Sequence, residues 1–145
     1  MNSEHYSKLK RMYLQSNVNA QLYPTTECEI ELRKATISIA LSDQYFHALN
    51  AVHGSVYFKL LDDSAFFAVN SIVEDAFVLT TSFTSNLVRP VSSGKIEAIG
   101  QVRFESKNLF MAESTLYDEK GNEIAFGSGS FVKSKINLSE EIGYK

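Results

Sequence analysis

His53-Gly54-Ser55-Val56-Tyr57-Phe58-Lys59-Leu60-Leu61-Asp62-Asp63-Ser64-Ala65-Phe66-Phe67-Ala68-Val69-Asn70 is the run whose reading decides the fold of this chain. A His-Gly step opens it, apolar residues dominate it, and the spacing predicts a helix from 54 to about 72. Advanced by about 100° per residue from Gly54, the side chains of Ser55, Lys59, Asp62, Asp63, Phe66 and Asn70 share one stripe. The remaining arc of more than about 200° is apolar apart from Ser64, far wider than a surface helix needs. This helix is therefore wrapped by other elements. Phe66 within the polar stripe implies that the stripe is covered too, by a second subunit.

Working outward, residues 2–19 read as a short helix with Tyr6, Leu9, Met12 and Tyr13 near one face. Residues 28–41 alternate as a strand, and 43–52 are loop-like. Beyond the long helix come four strand patterns, at 77–88, 96–104, 109–117 and 123–133. The turn at 118–122 contains Gly121, which suits a positive φ. Gly127 and Gly129 mark a bend or a close backbone approach. Helices segregated from hairpin-linked strands imply an α+β fold with an antiparallel sheet, and the sheet is the element expected to wrap the helix. Residues 134–145 read as a polar, frayed tail.

The 145 residues favour one domain spanning 1–145, long enough to bury roughly 70% of the extended-chain surface. The net charge of −3 and the lack of a basic block argue against nucleic acid or an anionic membrane as a partner. No leader-like or membrane-spanning run is present, which gives a cytoplasmic expectation. Cys28 stands alone, so a disulfide framework or thiolate metal cluster is not expected within the chain, and the residue reads as an apolar filler. His47 and His53 lack a third ligand at suitable spacing, so no metal is expected.

Chemistry concentrates at two points of the long helix. Asp62 lies between Phe58 and Phe66, and a carboxylate against aromatic walls has a raised pKa suited to proton transfer near neutral pH. Asp63, four residues after Lys59, reads as a structural ion contact. At the amino end, Gly54 has no side chain to block a ligand, and first-turn N–H groups can hold a developing oxyanion. Eight residues separate Gly54 from Asp62. That is about 12 Å along the axis and about 80° around it, so one helix cannot easily bring both features together. Two antiparallel helices from twofold-related subunits can.

The His53-Gly54-Ser55 start, Phe58, Leu60, Asp62 and the small-residue helix to Ala68 resemble the hot-dog-fold thioesterases, specifically the phenylacetate-pathway group. The resemblance continues through Thr80-Thr81, Arg89-Pro90 with Gly94, Asp118-Glu119-Lys120-Gly121 and Phe131-Val132, and covers roughly residues 35–133. It implies an antiparallel sheet curled round a central helix, and acyl-CoA thioester hydrolysis without a cofactor by a homodimer or homotetramer. Asp62 would be base or nucleophile, and the Gly54 N–H would polarise the thioester carbonyl across the subunit boundary. Thr80 would position water or the acid. Family members often carry Asn where this chain has His47, and Gly where it has Ser55; both residues are candidates for substrate contact. His53 is a candidate catalytic residue and equally a helix cap. Arg89 is a candidate for a CoA phosphate, since guanidinium matches phosphate geometry. The alternatives are a hydratase or dehydratase on the same fold, and a non-catalytic acyl-CoA-binding module.

Overall fold

The computed structural model describes residues 2–145. The chain begins with helices α1 (Ser3–Gln15) and α2 (Asn17–Leu22), followed by strands β1 (Glu27–Glu31) and β2 (Lys34–Ala40). Helix α3 (Gly54–Asn70) comes next, then β3 (Ala76–Leu87), β4 (Lys95–Glu105), β5 (Leu109–Tyr117) and β6 (Glu123–Asn137). The six strands form one antiparallel sheet in the order β1-β2-β4-β5-β6-β3. The chain leaves the sheet after β2, crosses it as α3, and re-enters at the far edge as β3. This is the helix-in-sheet arrangement the resemblance implied.

The wide apolar arc explains the position of α3. Leu60, Leu61, Ala65, Ala68 and Val69 are fully buried against the sheet. Each large apolar side chain buried this way contributes about 1.5–3 kcal/mol. Sheet residues Ile37, Ile39, Ile96, Leu116, Ile124 and Phe131 supply the other half of the core. Two contacts fix the helix against the sheet at its middle turn. Gly100 of β4 lies so close to α3 that a Cβ there would meet the Ser64 backbone at 2.3 Å. Beside it, the Ser114 hydroxyl of β5 donates to the Leu61 carbonyl at 2.8 Å. The close approach expected at Gly127 and Gly129 is that of Phe83, whose ring a Cβ at either position would strike.

Three expectations need correction. The helix read over 2–19 is two helices, because Ser16 takes an extended conformation (ψ 148°) and its hydroxyl bonds back to the Tyr13 carbonyl. The strand read over 28–41 is a hairpin, turned at Leu32-Arg33 with Arg33 at φ 65°. The tail read as frayed from 134 is ordered: β6 runs to Asn137, and Glu140–Ile142 form a 3-10 turn. Tyr144 then hydrogen-bonds the buried His5 at 2.7 Å, while the other ring nitrogen of His5 meets the Asn70 carbonyl at 2.8 Å.

Helices α1 and α2 of the same chain cover the polar stripe around Lys59 and Asp63. Among the described residues, no helix is long and apolar enough to cross a membrane. Cys28 is buried in the core, and burial pushes its thiol up to about 12.

Candidate active site

The carboxyl group of Asp62 projects from the middle turn of α3 and is half-buried. Thr80 reaches it from β3, its hydroxyl donating to Asp62 Oδ1 at 2.9 Å. Burial dominates the pKa of Asp62 and raises it to about 6. The Thr80 hydrogen bond works against that rise, neighbouring Asp63 adds to it, and Lys59 reduces it. A carboxyl group poised there exchanges protons near neutral pH.

Asp62 and Thr80 line a cavity of about 490 Å³. Its walls are largely apolar, with Phe66, Phe67 and Phe77 among them, and the chain's first helices and last turn enclose it through Val18 and Ile142. One wall is polar. Lys59 Nζ donates to Asp63 Oδ2 at 2.7 Å, to Asn19 Oδ1 at 2.7 Å and to the Tyr13 hydroxyl at 3.2 Å. The Tyr13 hydroxyl in turn donates to Asp63 Oδ2 at 2.7 Å. Burial and the Asp63 charge hold that phenol well above the ordinary tyrosine range. The pairing of Lys59 with Asp63 has the expected partners, but it is a pocket wall rather than a surface contact. Tyr13 and Asn19, separated from α3 by the whole β1–β2 hairpin, carried no sequence signal for this role. Nor did Ser114, which holds the turn preceding Asp62. A polar side chain on an inward strand position was the one clue.

The amino end of α3 forms a separate site. His53 is the N-cap residue: its Nδ1 accepts from the Ser55 N–H at 3.1 Å and lies 2.8 Å from Ser55 Oγ. The structure thus uses His53 and Ser55 to close the first turn. Among the described residues, no group accepts a hydrogen bond from the Gly54 N–H. Gly54 lines a second cavity of about 300 Å³ together with His47, Arg89, Leu87 and Pro90. The loop that presents His47 is pinned by backbone bonds between His47 and Ala51 and between Asn50 and His47, both 2.9 Å. The Tyr57 hydroxyl donates to the Arg89 carbonyl at 2.7 Å and holds that strand end beside the helix start.

Within one chain, therefore, the candidate residues fall into separate groups. Asp62 and Thr80 share one cavity; Gly54, His47 and Arg89 share another; His53 and Ser55 face a third, lined also by Tyr23 and Tyr45. The acid and the free N–H stand apart on α3, as the helical spacing required. Among the described residues, no group of three or more His, Cys, Asp or Glu is placed to hold a metal ion.

Comparison with known proteins bears on this arrangement. Solved structures with the same fold include the PaaI protein of E. coli from the phenylacetic acid degradation operon, at TM-score 0.83 and 17% identity, covering 94% of this chain and 97% of that one. A thioesterase family protein from Silicibacter pomeroyi superposes at TM-score 0.80 with 20% identity, covering 88% of this chain and 96% of that one. Zebra fish thioesterase superfamily member 2 does so at 0.77 with 16% identity, covering 89% and 98%. No curated protein is matched by sequence. At these identities the structures establish a shared fold. The sequence itself matches the thioesterase superfamily family model over residues 49–125, a span that includes the Gly54 turn, all of α3 and strands β3, β4 and β5. By that match the chain belongs to the thioesterase superfamily.

Proposed function

We propose that the protein is an acyl-CoA thioesterase whose reaction centre forms between two copies of the chain. The observation that carries this reading is the half-buried Asp62, bonded by Thr80 and facing an acyl-sized apolar cavity. Family membership supports thioester hydrolysis as the reaction class.

In this reading Asp62 acts in its ionised form. Thr80 occupies Oδ1, leaving the other oxygen to take a proton from water as that water attacks the thioester carbonyl. The carbonyl oxygen gains negative charge and accepts a hydrogen bond from Gly54 of the partner subunit. The C–S bond then breaks, the CoA thiolate leaves, and the proton held by Asp62 neutralises it. Direct attack by the carboxylate, giving a mixed anhydride that water then hydrolyses, uses the same residues. Arg89 and His47, in the Gly54 cavity, are positioned to meet the CoA portion from the partner's side.

The twofold arrangement follows from geometry. A centre needing both Asp62 and a Gly54 N–H takes them from different chains, because α3 points them apart. The homodimer, or a homotetramer built from it, is thus part of the proposal. The test is release of free thiol from a panel of acyl-CoA esters. Turnover that rises with pH through about 6 and is lost in Asp62→Asn is the expected result. Ester binding without thiol release would replace hydrolysis with a binding function, and loss of enoyl absorbance without thiol would indicate hydration.

A further inference from the structure

We infer that the cavity beside Asp62 is an acyl compartment with a charge filter: it admits neutral apolar acyl groups and rejects those ending in a carboxylate, although a lysine lines it. This rests on the acyl-CoA reading above and specifies the acyl class.

A lysine in an otherwise apolar pocket ordinarily predicts an anionic ligand. Here the hydrogen-bond inventory points the other way. An ammonium group has three donors. Those of Lys59 are taken by Asp63 Oδ2, Asn19 Oδ1 and the Tyr13 hydroxyl. The Tyr13 proton is given to Asp63, and the Asn19 amide is given to the Tyr13 carbonyl and to Ser16 Oγ. The cluster has no donor left for a ligand. What it presents to the cavity is acceptor capacity: Asp63 Oδ1 carries no hydrogen bond among the described residues.

Charge agrees with this inventory. The ionisable groups on the cavity wall are Lys59, Asp62 and Asp63 of α3 and Tyr13 of α1, while β3, α2 and the final turn add none. With Asp62 ionised for reaction and the phenol protonated, the wall carries one net negative charge. An incoming carboxylate would lose its water, find no free donor, and face that charge. Such a group is costly to bury unpaired. An aliphatic or aryl end meets Phe66, Phe67, Phe77 and Ile142 instead.

The matched probes are octanoyl-CoA and suberoyl-CoA, of equal acyl length and differing in a terminal carboxylate. The whole protein should cleave octanoyl-CoA with a kcat/KM about 100-fold or more higher, a difference of about 2.8 kcal/mol in transition-state free energy. Asp63→Asn removes the bound carboxylate and frees Lys59, so the ratio should fall to roughly tenfold or less. Lys59→Gln leaves Asp63 unneutralised, and the ratio should stay high or rise. Because both esters are measured on one preparation, the ratio does not depend on how much of a variant folds. Binding of the corresponding S-octyl and S-(7-carboxyheptyl) CoA thioethers, read by calorimetry, is independent of turnover. Equal cleavage of both esters, or a ratio unmoved by Asp63→Asn, overturns the filter and leaves hydrolysis standing. No thiol release with tighter binding of the octyl thioether overturns hydrolysis and leaves the filter standing. Equal or absent binding of both thioethers, without turnover, overturns both.

Discussion

The two candidate regions of α3 are built on opposite physical principles. Its amino end leaves something unsatisfied: the first-turn N–H of Gly54 has no partner among the described residues, and His53 closes the turn without occupying that donor. Its middle works by over-constraining. Asp62 is desolvated, bonded by Thr80, and carried on a turn that Ser114 and Gly100 lock to the sheet. An exposed helix end offers a donor at little cost, whereas a half-buried carboxylate needs surrounding support to keep its place. The difference teaches why, in the proposed dimer, one rod would supply both halves of a centre and still be unable to complete it alone.

The largest effect expected from disturbing this contrast is at the constrained end. Asp62→Asn should lower kcat by about 10³-fold, measured as thiol release. It should also stabilise the fold at pH 8. Asp62 in the folded chain titrates at about 6, above the ordinary aspartate value of about 3.9. A raised carboxyl pKa means the fold favours the protonated form. Stability therefore falls as pH climbs from about 4 to about 6, and the full cost is present above that. Removing the charge should raise Tm at pH 8 and change it little at pH 4.

At the unsatisfied end, Gly54→Pro deletes the N–H and adds a ring whose Cβ meets the Leu87 side-chain end. Proline is well suited to a first helical position, and His53 at φ −63° and ψ 143° already has the conformation that precedes proline. The rate should drop by about 10²–10³-fold with the fold retained by circular dichroism. Gly54→Ala keeps the N–H and should keep most of the rate, with only the Leu87 side-chain end, 3.1 Å from the new Cβ, giving way. A Gly54→Pro enzyme with full activity would detach the helix end from the chemistry.

Mixing these two inactive variants tests whether the contrast spans subunits. A heterodimer of Asp62→Asn and Gly54→Pro chains would carry one centre with both defects and one with neither. After exchange, activity should recover to about a quarter of the unmodified level, the heterodimer being about half of the population with one working centre each. Lack of recovery in a mixture shown to exchange would confine each centre to one chain.

Smaller effects sharpen the picture. Thr80→Val removes the bond that opposes the rise in Asp62 pKa, so the acid limb of the pH profile should move to higher pH, with a loss of roughly tenfold at pH 6. His53→Ala should cost about 1 kcal/mol as a lost cap, seen as a lower Tm, and change kcat less than any variant above.

The parts of this molecule legible in its sequence are those set by local periodicity. The breadth of the apolar arc located α3, and the axial rise of about 12 Å between residues 54 and 62 showed that they stand apart. What escaped is set by distant contacts or by exceptions to turn chemistry. The hairpin between β1 and β2 turns at Arg33, a residue that rarely takes φ 65°; its N–H is held by the Ser71 hydroxyl at 2.8 Å, a contact no local pattern announces. The helix break at Ser16 uses neither Gly nor Pro. The tail looks polar enough to fray, yet His5 anchors Tyr144 from the other end of the chain. Lys59 and Asp63 were recognisable as a pair, but Tyr13 and Asn19, which exhaust the lysine's donors, come from helices whose docking the sequence does not encode locally.

The absence of a side chain at residue 100 has an engineering consequence. Because β4 bears directly on the backbone of α3 there, the depth of the acid is a property of the sheet and not of the helical cap formed by α1 and α2. Floor and ceiling are thus separable: redesign of Val18, Asn19 or Ile142 can reshape the cavity, while even one methyl group at 100 would shift the Asp62 carboxylate itself.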